Sequence, residues 1–185
     1  RAGAQDALVD KGSRDAADAA KPGALPERSA WPKEIEKVFK GEGCEDTWLG
    51  DLLPEGFIAA PAPGRELWQI PCRAGNYEHD NILIEWRNGG AKAAQLLTFP
   101  THTKIRDMPR SRSGAGRMAR NSVWQEARRE LWTFAHFHAH GDCGVAAQYR
   151  WTERGFLLLD ERRKDDCDSK FVDPFTQWPK TRAGP

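Results

Sequence analysis

Three histidines recur at every second position, His136, His138 and His140, inside the stretch LWTFAHFHAHGDCG at residues 131–144. Alternate residues of an extended strand share a face, so this spacing predicts three imidazoles side by side, with Trp132 and Phe134 behind them. Two such imidazoles make a platform for zinc, copper or nickel, and His79, His102 or an aspartate is available as a further ligand. The competing expectation is a strand that leaves the core at Phe134 and Phe137 and carries its histidines into solvent. No His-plus-carboxylate motif elsewhere completes a metal set, which favours the second expectation. Zinc or copper is the cofactor the sequence suggests, if there is one. Asp142, in the Gly141-Asp142-Cys143-Gly144 turn, reads as an acceptor of backbone hydrogen bonds rather than as a base.

Other constellations that carry out catalysis are weak. There is no Gly-x-Ser-x-Gly elbow, no His-Glu-x-x-His and no phosphate-binding loop. Adjacent carboxylates such as Asp165 and Asp166 sit in the charge-rich run DERRKDDCDSK, which reads as a solvated face. An enzyme is therefore the less favoured class. A second chemical feature is the run from 104 to 122, where Lys104, Arg106, Arg110, Arg112, Arg117 and Arg120 stand against Asp107 alone. Clustered guanidinium groups grip phosphates or an anionic polymer by releasing counterions. Gly, Ser and Pro between them predict a mobile loop over a packed element, and a solvated hairpin excursion is the plainer reading. No Phe, Tyr or Trp interleaves the run to stack bases, and a net charge of +1 supplies no global attraction to nucleic acid.

The elements that position these residues follow from periodicity. Near SAWPKEIEKVFKGEGC, Trp31, Ile35, Val38 and Phe39 recur at helical spacing, Pro32 fits the first turn, and Gly41 and Gly43 stop the helix. A short amphipathic helix thus leads into Cys44. The period then becomes strand-like over 64–72, 81–86 and 93–100, with RNGG at 87–90 as a hairpin turn, and again over 129–140, 145–151 and 156–162. The expected fold is mainly β (α+β): two antiparallel meanders packed as a curved sheet or sandwich, with one N-terminal helix.

The four cysteines, Cys44, Cys72, Cys143 and Cys167, form no Cys-x-x-Cys knuckle, which argues against a zinc ribbon and a thioredoxin-type motif. If TERG at 152–155 is a hairpin turn, Trp151 faces Phe156, and the same antiparallel register carried down the strands brings Cys143 close to Cys167. A small bulge or frayed end closes the remaining gap. This pairs Cys143 with Cys167 and leaves Cys44 for Cys72. Two disulfides imply an oxidising compartment.

With 185 residues the chain suits one domain, read as 29–185, with the Ala- and Asp-rich segment 1–28 as a disordered tail or linker. No apolar run approaches the roughly 18 residues that span a bilayer. The chain starts without Met, and a secretory signal peptide is taken to have been removed.

Several segments together resemble an uncharacterised bacterial family, domain of unknown function 1176. They are ELWQIPCRAGNYEHDNILIEW, LLTFP, GDCGVAAQYRWTERGFLLLDERRKDDC and QWPKTRAGP. The positions that carry the likeness are Trp68, Pro71, Cys72, Gly75 and Tyr77, then Gly141, Asp142, Cys143 and Gly144, then Trp151, Phe156 and Cys167, and finally Trp178, Arg182 and Ala183. The resemblance covers about residues 30 to 185 and corresponds to the C-terminal half of longer members. It implies a periplasmic or extracellular location and no established activity. The segment AHFHAH is not part of the family pattern. The expectation is a non-catalytic envelope protein that binds another protein or an anionic envelope polymer through an exposed sheet face and the basic loop. The alternative is a metal-binding protein or metalloenzyme that uses the histidine strand.

Overall fold

The computed structural model describes residues 22–44, 55–74, 78–87, 93–102, 116–138 and 140–181. The described residues form ten strands and one α-helix, arranged as two antiparallel sheets with the helix on the outside of one of them. The larger sheet runs in the order β1 (Gly23–Ala24), β2 (Phe57–Ala62), β3 (Arg65–Ala74), β4 (His79–Arg87), β5 (Ala94–Leu96), and β6 (Ala119–Arg120) also pairs with β4. The smaller sheet has the order β10 (Gly155–Lys164), β9 (Gly144–Thr152), β8 (Glu130–His136), β7 (Val123–Gln125).

Alternation along β3 and β4 sorts side chains to opposite faces of the larger sheet. Leu67 and Leu83 point into the space between the sheets, where they join Phe99, Trp124, Leu131, Tyr149, Trp151 and Phe156. Trp68, Ile70, Ile82 and Ile84 point the other way, onto helix α1 (Lys33–Gly41). Both faces are thus covered, and β4 is buried from Asp80 to Glu85. Helix α1 forms because Ile35 and Phe39, one turn apart, share an apolar stripe, and both are fully buried. Pro32 is the residue just before the first turn, Glu34 and Glu36 lie at the positive end, and Lys40 lies at the negative end. Trp31 packs edge-on against Phe39 and Trp68.

Three features differ from the sequence reading. Order starts before residue 29, since Gly23 and Ala24 pair with Ile58 and Phe57, and Trp31 Nε1 donates to the Pro26 carbonyl at 2.9 Å. Strand β2, with Pro61 inside FIAAPA, is not among the strands that periodicity marks. It fits because the register with β3 shifts between Ala59 and Ala62, so Pro61 stands where the regular ladder is interrupted. The end of the basic run is packed: Met118 and Ala119 are core residues, and Arg120 belongs to β6. Residues 104–115 of the expected loop and the turn residues 88–90 lie outside the described residues.

Several polar groups between the sheets are paired, although Asn81 Oδ1 and Trp151 Nε1 are buried without a hydrogen-bond partner. Glu85 is almost fully buried and holds Arg65 at 2.7 Å. Arg65 also lies 4.8 Å from the centre of the Trp151 ring and donates to the Glu153 carbonyl, so one cation ties the sheets together. Asn81 donates to Ser122 Oγ, which donates to Gln69 Oε1. A four-residue motif, Arg-Glu-Leu-Trp, occurs at 65–68 and at 129–132, once in each sheet. In both copies the Leu enters the shared core, and the Trp indole donates to the Glu two residues earlier.

Candidate functional site

Antiparallel pairing of β8 with β9 ends at His136 opposite Gly144. Phe137 N then donates to the Cys143 carbonyl, Gly141 N donates to the His138 carbonyl, and Gly141 stands at φ +72°, so the regular ladder is over past His136. The expected strand over 129–140 is therefore too long: the three histidines do not share one extended face. The reversal that joins β8 to β9 has to begin as soon as the ladder ends, and a turn abolishes the period-two alternation.

The histidines separate into two environments. His136 packs on Phe134 with ring centres 4.3 Å apart, and its Nδ1 is buried without a hydrogen-bond partner. Burial pushes its pKa below the usual imidazole value; the nearby Glu78 opposes this, and Arg120 reinforces it. His138 and His140 are exposed, with ring centres 5.1 Å apart.

Beside His136 lies a charged junction between the two sheets. Glu78 accepts from the His136 backbone N at 2.7 Å and pairs with Arg120 at 2.7 Å. Arg120 also grips Asp80 through two hydrogen bonds of 2.7 and 3.1 Å. Asn121, at φ +43°, donates to the Phe134 carbonyl and accepts from His79 N. His79 is itself bound to Glu55 at 2.6 Å, and His102 gives its backbone N–H to Glu161. Among the described residues, the group of three possible ligand side chains within 4.8 Å of one another is Asp142, Cys143 and Cys167, and its two sulfurs are joined to each other.

Both expected disulfides are present, Cys44–Cys72 and Cys143–Cys167, and no cysteine is free. The register argument is visible in the hairpin: Phe156 faces Trp151, and a bulge between Leu158 and Asp160 advances β10 by one residue toward Cys167. Asp142 is buried and accepts from the Ser169 backbone N at 2.6 Å, while Lys164 Nζ donates to the Asp142 carbonyl. Its carboxylate thus anchors the segment that follows β10 rather than its own turn. Of the expected anion-gripping residues, Lys104, Arg106, Arg110 and Arg112 lie outside the described residues. Arg117 pairs with Glu42, and Arg120 pairs with Glu78 and Asp80.

The outer face of the smaller sheet carries a surface that the sequence reading named only in general terms. Segment 173–181 crosses part of this face: Phe175 lies 4.9 Å from Trp132, Trp178 lies 5.3 Å from Phe134, and Arg162 donates to the carbonyls of Thr176 and Trp178. Beside that cover Val123, on edge strand β7, pairs with Trp132; toward the β9–β10 turn Leu157, on the opposite edge strand β10, pairs with Arg150, which in turn faces Glu130. Val123 is 56% and Leu157 55% exposed. The sequence signal was Leu157 within FLLLD, a run too apolar for a strand that has one face in water.

A family model described as Protein of unknown function (DUF1176) matches residues 1–183. The chain belongs to this family. The match to DUF1176 takes in the segment 1–28 that composition sets apart as a tail, so the likeness begins earlier than residue 30. No curated protein and no solved structure matches the chain. Among the described residues, no helix of this DUF1176 chain is long and apolar enough to cross a membrane.

Proposed function

We propose that this protein is a non-catalytic component of the bacterial envelope, periplasmic or extracellular, that binds another protein through the uncovered end of its smaller sheet. The observation that carries this reading is the exposure of Val123 and Leu157 on the same outer face as Trp132. Large apolar side chains left exposed on the two edge strands of one sheet face, with the charged pair Glu130–Arg150 on the strands between them, give that face the mixed composition of a protein interface. A specific complex would cover roughly 800 Å² per partner. An anionic polymer is the weaker partner, since both described arginines of the basic run already hold carboxylates. The two disulfides support a location outside the cytosol.

The test is crosslinking of the purified chain in envelope extract, side by side with Val123→Glu and Leu157→Glu variants of unchanged circular dichroism. A protein captured by the parent, lost by both variants, and bound again as a purified pair supports the reading. Capture that is indifferent to both substitutions, or self-association as the only product, refutes it.

A further inference from the structure

We infer that His138 and His140 chelate a single divalent transition-metal ion at the tip of the β8–β9 connection, and that His136 takes no part. The inference is independent of the protein-binding surface, which lies toward the opposite end of the same sheet. Its first support is geometric. With metal–nitrogen bonds of about 2.0–2.1 Å, two imidazole centres on one ion stand roughly 4.5 Å apart at the right angle of tetragonal copper(II) and roughly 5.2 Å apart at a tetrahedral angle. The rings of His138 and His140 have centres 5.1 Å apart and are inclined by 30°, a spacing between one that fits a tetragonal ion and one that fits a tetrahedral ion.

The second support is access. Both rings are exposed, which leaves the other coordination positions to solvent or to an incoming ligand. The backbone holds the pair in place: Gly141 N donates to the His138 carbonyl, and the Cys143–Cys167 disulfide ties down the strand that follows.

His136 is excluded by its packing. Its ring is held against Phe134, and a methyl group on Gly141 would sit only 3.5 Å from its Cε1, so the turn backbone closes over the imidazole. The ligand class follows from two neutral nitrogen donors without a described carboxylate or thiolate. Imidazole pairs suit copper(II) above nickel(II) and zinc(II), and they have little affinity for magnesium or calcium.

The experiment is calorimetric titration of the full, untagged chain with copper(II) and with zinc(II) in a non-coordinating buffer, joined to electron paramagnetic resonance of the copper form. The expected result is one copper ion per chain, a spectrum showing two coordinated nitrogens, and weaker zinc binding. His138→Ala and His140→Ala, both at exposed positions, should each weaken copper at least about tenfold, whereas His136→Gln leaves it unchanged. Copper binding untouched by either alanine variant overturns the inference. So does a stoichiometry of half an ion per chain, which would mean a bridge between two copies. The nitrogen count on the parent protein depends on no variant, so a folding defect in His136→Gln leaves the test intact.

Discussion

His136 and His138 are two positions apart, yet one is packed under a turn and the other is in water, because the ladder with β9 stops between them. The residue that allows this closure is Gly144, opposite His136. Its φ is +152°, and a Cβ there would fall 2.1 Å from the Ala135 carbonyl oxygen, a backbone atom that cannot step aside. Gly144→Ala should therefore cost about 3 kcal/mol or more. Urea unfolding reads this directly, and an unchanged midpoint would contradict it. Arg120 is the second decisive residue, since it neutralises Glu78 and Asp80 at the junction of the sheets. Arg120→Ala strands a carboxylate that is nearly buried, and a loss of about 3 kcal/mol is expected from breaking a buried charge pair. Arg120→Lys should recover only part of it, because an ammonium cannot reproduce the two-pronged contact with Asp80.

Helix α1 owes its place to the stripe of Ile35 and Phe39, and an ion pair ties it to the turn before it. Arg28 donates twice to Glu36, at 2.7 and 3.0 Å, and its guanidinium lies 4.7 Å from the centre of the Phe39 ring. The hydrogen bond to Arg28 holds the Glu36 carboxyl below its ordinary pKa of 4.5, Lys40 adds to the effect, and burial opposes it. Because the folded value is the lower one, the pair's contribution is complete above the unfolded carboxylate pKa and is lost as pH falls through the folded value. Both partners are about one-quarter exposed, so the contribution should stay below about 1 kcal/mol. Melting curves of Glu36→Gln should show a small loss at neutral pH and a shallower decline below pH 4.5 than the parent. An identical acid limb in both proteins would remove the ion pair from the account.

Across the whole molecule, each disulfide fastens a peripheral segment to the sandwich. Cys44–Cys72 joins the chain leaving α1 to β3, and Cys143–Cys167 joins the start of β9 to the segment beyond β10. The sequence separations are 28 and 24 residues, so opening either bridge should cost roughly 3 kcal/mol through the unfolded state. Replacing Cys143 and Cys167 together by serine should lower the melting temperature and expose Trp178, which the second segment seats on Phe134. Peptide mapping without reductant checks the pairing, and four free thiols in native protein would defeat both the bridges and the proposed compartment. The two covers, α1 on one sheet and segment 173–181 on the other, leave Val123 and Leu157 in the open, which is a property of the assembled sandwich and of no single strand.

Local rules made much of this protein legible in its sequence. The stripe from Trp31 to Phe39 marks the helix, alternation marks β3, β4, β8, β9 and β10, and the TERG turn sets a hairpin register that leads Cys143 to Cys167. Each rests on residues that are neighbours in sequence or are paired by one short turn, so pattern and geometry agree. What the tertiary structure decided are the features that depend on distant partners. Pro61 stays in a strand because a bulge opposite β3 accepts it, and Met118 and Ala119 enter the core because β4 offers them an edge. Arg120 is withdrawn from any anionic partner by Glu78 and Asp80, about forty positions away in the chain. The histidines were legible as a motif but not as an arrangement. Alternation describes a strand only while the strand lasts, and the point where β8 ends is set by its pairing with β9 and by the close approach at Gly144.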